Sequence, residues 1–422
     1  MMEPIDKFTS GNKPGPPKQP KRLKPFVAID LPPNPWALCK PENRDVILVT
    51  CGLMPGFIQR LTGNLTQGER DWILKQRRVH KYRDGRQLEI HTRTMRDTVQ
   101  PIGGKIRLQN SRGVSVQIQD VKSFFQLNYP KLARRYGVDD LATIMERTRA
   151  SLAEVGIKPA SDQWWRTFGI TDYVWRKLEI DLSKVPAVTA KKEPGNLQGY
   201  WAFGHTGEPV YSYDIRSAYL SVMAEFEALK PFADFIWKAR QELVQANDPT
   251  AHLLKLAATV MPGKFTSEHP GNKYYRRPLG LYIRGVTNER LRQAMHLANS
   301  VSAPTMLNVH RYCVDGFIAH SDISKYLNIG DGLGQWKPVK KHNHLTIART
   351  NVWFTDREYK DGGYHITEQQ ILDDPFEIHT SRTVFDWNRL EERNEPVILH
   401  QRHNDLTCRK CWDSVGELHD IF

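Results

Sequence analysis

Residues 199–337 follow a pattern that few folds accommodate: a short strand ends on an aspartate, a helical stretch follows, and a tight hairpin presents a second aspartate about a hundred residues later. The segment 208–215, EPVYSYDI, reads as a strand that ends on Asp214, and 216–226, RSAYLSVMAEF, continues as a helix. FIWKARQELVQA (235–246) and AHLLKLAATV (251–260) read as a helical pair split by an Asn-Asp-Pro turn at 247–249. Residues 285–300 read as a further helix. NVHRYC and GFIAH then bracket Val314-Asp315-Gly316 as a hairpin with the acid at its turn. Singly, each acid has an ordinary use, Asp214 as a helix N-cap and Asp315 as a turn former. Side by side on one sheet, the two carboxylates could share a pair of Mg²⁺ ions, which prefer oxygen ligands.

Before this region the chain reads differently. Residues 1–25 contain GNKPGPPKQPKRLKP, too poor in large apolar groups to offset the entropy of ordering, and are expected to form a basic flexible arm. FVAID (26–30), VILVTCGL (46–53) and VSVQIQD (114–120) read as strands; VKSFFQLNYPKLARRYGV and 164–180 turn helical. Strand and helix alternate through 26–182, which suggests an α/β domain, and 183–197 reads as a connector. The balance of 60 Lys+Arg against 47 Asp+Glu leaves a surplus of 13 positive charges, favouring a polyanionic partner. No apolar run approaches the length of a membrane span, so no membrane is expected. Five cysteines in 422 residues do not make a disulfide framework, and the N-terminus has no signal-peptide core, so a cytoplasmic setting is expected.

Asp214-Ile-Arg-Ser217-Ala-Tyr219 resembles the first palm motif of the family B DNA polymerases, above all the protein-primed phage branch. Lys255 and Gly263-Lys264-Phe265 stand at the interval of that family's finger-helix motif, and Tyr312-Cys313-Val314-Asp315-Gly316 resembles its second palm motif. Gly199-Tyr200-Trp201-Ala202-Phe203-Gly204 lies where the family carries a Gly-rich template-binding loop, and Leu333-Gly334-Gln335-Trp336-Lys337 follows as a similar run does there. The five matches occur in the family's order across 199–337.

The resemblance implies an α+β multidomain chain: an exonuclease-like α/β domain over 26–182, a palm of antiparallel sheet with helical fingers over 183–337 (fingers about 230–265), and a small thumb with the C-terminal segment over 338–422. It implies template-directed DNA synthesis from a primer-template and nucleoside triphosphates, with two Mg²⁺ or Mn²⁺ ions on Asp214 and Asp315 and with replication proteins as further partners. Tyr219 would lie under the incoming sugar and reject a 2′-hydroxyl. Ser217, Lys238, Arg240, Lys255 and Gly263 would surround the nucleotide, and Gly199, Tyr200 and Gly204 the template. A phage or mobile-element replication system, hence the host cytoplasm, is the implied setting.

The departures are specific. Thr259, Val260 and Pro262 replace the family's Asn, Ser and Tyr, and Cys313 replaces the first acid of the second palm motif. In the N-terminal domain, Asp30 is followed by Pro32 where an acid is usual. The closing Tyr173 is followed by Lys177 rather than an acid, leaving Asp120 without the carboxylates of a hydrolytic centre. Residues 220–254 leave room for fingers and little else, so the primer's nature stays open. Two other readings therefore stand beside the polymerase: a polymerase-derived scaffold that binds nucleic acid without catalysis, and a primase-like enzyme that starts chains unaided. Separately, His400, His403, Cys408 and Cys411 have the composition of a structural zinc site, with a short spacing between halves.

Overall fold

The computed structural model describes residues 23–30, 32, 35–51, 90–91, 98–102, 105–109, 113–127, 129–158, 167–189, 198–200, 204–268, 272–301, 308–349, 351–374, 377–386 and 391–400. The first sheet has six strands: β1 (Phe26–Ala28), β2 (Ile47–Thr50), β3 (Ile90–His91), β4 (Thr98–Ile102), β5 (Lys105–Gln109) and β6 (Ser115–Asp120), in the order β1-β2-β6-β5-β4-β3. β1, β2 and β6 run parallel, and the other pairings are antiparallel. β2 is buried at every position, as its apolar run predicts for a central parallel strand. Four helices follow: α1 (Val121–Phe125), α2 (Tyr129–Tyr136), α3 (Leu141–Glu154) and α4 (Thr167–Lys177).

The second half opens with β7 (Gln198–Tyr200), β8 (Gly204–Thr206) and β9 (Val210–Asp214), then α5 (Ala218–Met223), α6 (Lys230–Gln245), α7 (Ala251–Thr259), α8 (Met261–Thr266) and α9 (Arg277–Val301). α9 begins earlier than the helix read over 285–300. Pro278 falls in its first turn, where no intrahelical N–H is required, and Gly280 is a packing glycine. A Cβ there would lie 2.6 Å from Thr266 Cγ2 and 2.9 Å from Pro262 O, so its absence lets α9 close on α8. β10 (Val309–Cys313) and β11 (Gly316–Ala319) form the expected hairpin, and β12 (Lys340–His342) joins them in a five-stranded sheet of order β12-β9-β11-β10-β7. A four-stranded sheet, β15-β14-β13-β8, uses β13 (Leu345–Arg349), β14 (Val352–Phe354) and β15 (Tyr359–Asp361). After α10 (Glu368–Asp373) the described chain ends in a two-stranded ribbon, β16 (Glu377–Asp386) and β17 (Glu391–His400).

Alternation along β9 decides which side of the five-stranded sheet is free for chemistry. Tyr213 and Ile215 are buried in a core that includes Leu291, Met295 and Ala298 of α9, and Tyr213 stacks on Phe317 with ring centroids 4.6 Å apart. The period of two turns Ser212 and Asp214 to the opposite face. A larger core runs without interruption from Phe26 of β1 through α4 to Phe232, Phe265 and Ile283.

Candidate active site

The two sequence-predicted acids meet at one edge of the five-stranded sheet. Asp214 is the last residue of β9 and pairs with Gly316, the first of β11, so Asp315 lies one residue from its cross-strand partner. The two acid-bearing segments are directly hydrogen-bonded, Ile215 N donating to Asp315 O at 2.9 Å. Gly316 permits this approach: a Cβ there would lie 2.6 Å from Tyr213 O. At the hairpin tip Asp315 N donates to Cys313 O at 2.7 Å around Val314, whose φ of 56° is rare for a β-branched residue. The acid therefore sits on a strained turn that its neighbours hold in place.

A third segment completes the edge. Lys337 N donates to Asp214 O at 2.9 Å, Arg216 N to Gln335 O at 2.8 Å and Gly334 N to Arg216 O at 2.9 Å. Gly334 takes φ 79° and passes so close to α5 that a Cβ would lie 2.7 Å from Ser221 Cβ. The Lys337 ammonium forms an ion pair with Asp214 Oδ2. The ordinary use of Asp214 as a helix N-cap is not realised: Ser217 occupies the N-cap position of α5, in the left-handed region and with no side-chain cap bond.

Burial pushes the Asp315 carboxyl above the usual carboxylate range, and the charge of Lys255 on α7 is the largest influence in the other direction, followed by a backbone hydrogen bond, Lys360 and Arg311. Tyr219 faces the same group: its phenol is pushed up to about 12 by burial first and then by the Asp315 charge, with Arg284 of α9 opposing. Arg240 Nη1 donates to Ser217 Oγ at 2.8 Å, and burial next to Arg216 lowers the pKa of the guanidinium. Asp214, Asp315, Ser217, Tyr219, Arg240 and Lys255 thus converge from β9, α5, the hairpin and the helices α6 and α7. Lys238 is exposed on α6, and Gly263 is exposed on α8 with open space where a Cβ would stand. Gly199 and Tyr200 pair with Tyr312 and Arg311 as part of β7, while Gly204 pairs with Ile347 in the four-stranded sheet.

Several contributors carried no signal of role in the sequence. Arg311 is buried in β10 over the Trp353 ring, 5.0 Å from its centroid. His342 of β12, fully buried, bonds Ser212 Oγ through Nε2 at 2.5 Å, which ties β12 to the strand of Asp214, and its Nδ1 lies 3.6 Å from Asp356 Oδ1. The alternation of β9 could have marked Ser212 as facing the same side as Asp214. Nothing local could have supplied His342.

In the N-terminal sheet Asp120 ends β6, is 4% exposed, and caps α1 by accepting from Lys122 N at 2.9 Å. Asp30 is exposed. Lys177 Nζ donates to Gly156 O at 2.8 Å and covers the Phe235 ring of α6. Of the zinc candidates, His400 ends β17, and His403, Cys408 and Cys411 lie outside the described residues, as does the 1–22 part of the basic arm. Among the described residues no group of three or more His, Cys, Asp or Glu is gathered as a metal site, and no helix is long and apolar enough to cross a membrane.

No protein-family model matches the chain, and no curated protein matches it in sequence. Solved structures do match it in fold. The phi29 DNA polymerase complexed with primer-template DNA and incoming nucleotide substrates superposes with a TM-score of 0.54 at 10% identity, over 86% of this chain and 92% of that one. The binary complex of phi29 DNA polymerase with primer-template DNA gives a TM-score of 0.53 at 10% identity, over 84% and 91%. The orthorhombic form of the same polymerase gives 0.54 at 9% identity, again over 84% and 91%. The chain shares its fold with the phi29 DNA polymerase, a family B DNA polymerase, along most of its length.

Proposed function

We propose that the chain is a template-directed nucleotidyltransferase, a family B type DNA polymerase without proofreading. One observation carries this reading: Asp214 ends β9 and Asp315 immediately precedes the neighbouring β11 at the same end of the five-stranded sheet, with Lys255 and Tyr219 within electrostatic reach of Asp315. The donor set suits a hard divalent cation. Asp315 is a partly buried carboxylate whose ionised form is disfavoured by desolvation, and Asp214 already holds a cation in Lys337. Mg²⁺ or Mn²⁺ bound there would stabilise the charge that develops on the reacting phosphate and lower the pKa of a primer 3′-hydroxyl. Lys255 would carry positive charge to the triphosphate and hold a proton for the departing pyrophosphate. Arg240, oriented by Ser217, would hold phosphate oxygens. Tyr219, half-buried beside Asp315, would close the space a 2′-hydroxyl needs.

The excess of basic residues would hold the duplex through phosphate contacts, making binding salt-sensitive and sequence-independent. Among the described residues of the N-terminal domain, Asp30, Asp120 and Lys177 leave no set of carboxylates gathered for hydrolysis, which supports synthesis without proofreading. A second reading, a binding scaffold without catalysis, is favoured by the Lys337–Asp214 ion pair and by Pro262 buried in α8.

The test is primer extension by the purified chain with Mg²⁺ or Mn²⁺ and the four deoxynucleoside triphosphates. Extension is expected from the wild type and not from Asp214→Ala or Asp315→Ala, both of which should keep their affinity for primer-template in a mobility-shift assay. A wild type that binds DNA without extending it supports the scaffold. Synthesis on an unprimed single strand supports the primase-like reading. Undiminished extension by either variant sinks the assignment of the acids.

A further inference from the structure

The helices that carry Lys255 and Arg240 are anchored to the N-terminal domain at both ends. At the tip, where α6 turns into α7, Ser151 of α3 donates its hydroxyl to Asp248, and the Tyr136 hydroxyl of α2 meets Thr250 Oγ1 at 3.1 Å. Asp248 is already fixed by the turn, accepting from Thr250 N at 2.7 Å. Next to Lys255 in α7, His252 Nε2 donates to Phe125 O of α1 at 3.1 Å, and Thr171 Oγ1 of α4 donates to Ala257 O at 3.4 Å. At the base, Trp175 of α4 is 6% exposed and packs at ring-centroid distances of 5.2 Å from Phe232 of α6, 6.2 Å from Phe265 of α8 and 5.2 Å from Tyr274. The Tyr274 hydroxyl donates to Asp172, one turn earlier on α4, and Lys177 covers Phe235 of α6.

A helical hairpin that swings on its base needs a free tip and a surface that slides. Here the tip is pinned by buried hydroxyls, and the flank is part of one continuous core with β1, α1 and α3. Packed cores resist continuous deformation, so moving α6 and α7 alone would expose Trp175 and Phe232 and break the buried bonds of Tyr136 and Thr250.

We propose that the N-terminal domain is a positioning element for nucleotide binding: Tyr136, Ser151, Thr171 and Trp175 hold α6 and α7 in one fixed pose, so Lys255 and Arg240 meet the nucleotide without movement of the fingers. This rests on the reading of α6–α8 as polymerase fingers. Its physical core, that the fingers and the N-terminal domain form one rigid unit, is testable without any activity.

Native-state hydrogen exchange of the full chain in rising denaturant provides that test. Amides of α3, α4, α6 and α7 are expected to open together, with rates within about threefold of one another, and Trp175→Phe should accelerate all four equally. Exchange of α6 and α7 at low denaturant while α3 and α4 stay protected overturns the proposal. A disulfide between Ser151→Cys and Asp248→Cys, formed in the same chain and verified by mass spectrometry, then asks whether motion is needed. The oxidised form is expected to extend primers within about twofold of its reduced form. A loss of tenfold or more that reductant restores refutes fixed fingers, whereas a wild type with no extension in either state fails the polymerase reading and leaves the exchange result to decide rigidity. Tyr136→Phe with Ser151→Ala should raise the KM for nucleotide severalfold with kcat and primer-template affinity unchanged. An equal fall in kcat and in protein solubility would mark those residues as merely structural.

Discussion

Two sheets in this protein place an acid at a strand terminus, and they use it differently. Asp120, at the end of β6, is spent on the backbone of the following helix, with Asp30 exposed two strands away and Lys177 lying over the Phe235 ring of α6. Asp315 caps nothing. It is held on a strained turn, pressed against the backbone of Asp214's strand, and met by Lys255, Lys360 and Arg311. A strand-end carboxylate is therefore not a site by itself. What separates the two is whether a second acid and a set of cations converge on it, and which groups already satisfy it.

The comparison breaks most visibly on activity. Asp315→Asn should lower primer extension by about a thousandfold or more, while Asp120→Asn should leave it unchanged; comparable losses in the two variants, measured side by side, would erase the distinction. The next effect is on stability. Gly316→Ala forces a methyl against Tyr213 O and should cost about 1–3 kcal/mol in urea unfolding, together with a loss of extension because the two acid segments are pushed apart. A variant as stable and active as the wild type would mean the strands need not approach so closely.

Acid sensitivity should also divide the regions. Burial lowers the pKa values of His252, His310 and His342, two of them in the five-stranded sheet. The folded state thus prefers neutral imidazoles, and the unfolded chain binds protons below about 6.5. The stabilisation is present above that pH and is lost as pH falls below it. Urea midpoints should drop between pH 7.5 and 5.5, and His342→Asn should flatten that drop; an unchanged slope would remove His342 from the account. The smallest effect concerns Cys51. Burial first, and then the Asp120 charge, push its thiol up to about 11, so Asp120→Asn should raise its alkylation rate about twofold at pH 8.5, and no change would place Asp120 too far away to matter.

Much of this was legible locally. The β10–β11 hairpin, the Asn-Asp-Pro turn and the strand ending on Asp214 all come from patterns a few residues long, and the structure has them where the residues put them. The start of α9 is hard to read locally because Pro278 and Gly280 are poor helix formers, although the first-turn position neutralises one and tight packing requires the other. The surroundings of the acids were less legible. Lys337, Arg311 and His342 act through pairings across strands, and no local period encodes which strands become neighbours. Trp175 looked like one aromatic among several; only the fold brings it against Phe232, Phe265 and Tyr274.

The return of residues 334–337 onto 214–216 has a consequence for synthesis of the chain. Lys337 and Asp214 are 123 residues apart, and every bond that closes this edge spans a comparable distance. Loop closure on that scale comes late, after the local helices and the hairpin have formed. A ribosome-bound chain that has released the β10–β11 hairpin but not Lys337 has both aspartates and no finished edge, so the surroundings of Asp214 are completed only after residue 337 has emerged.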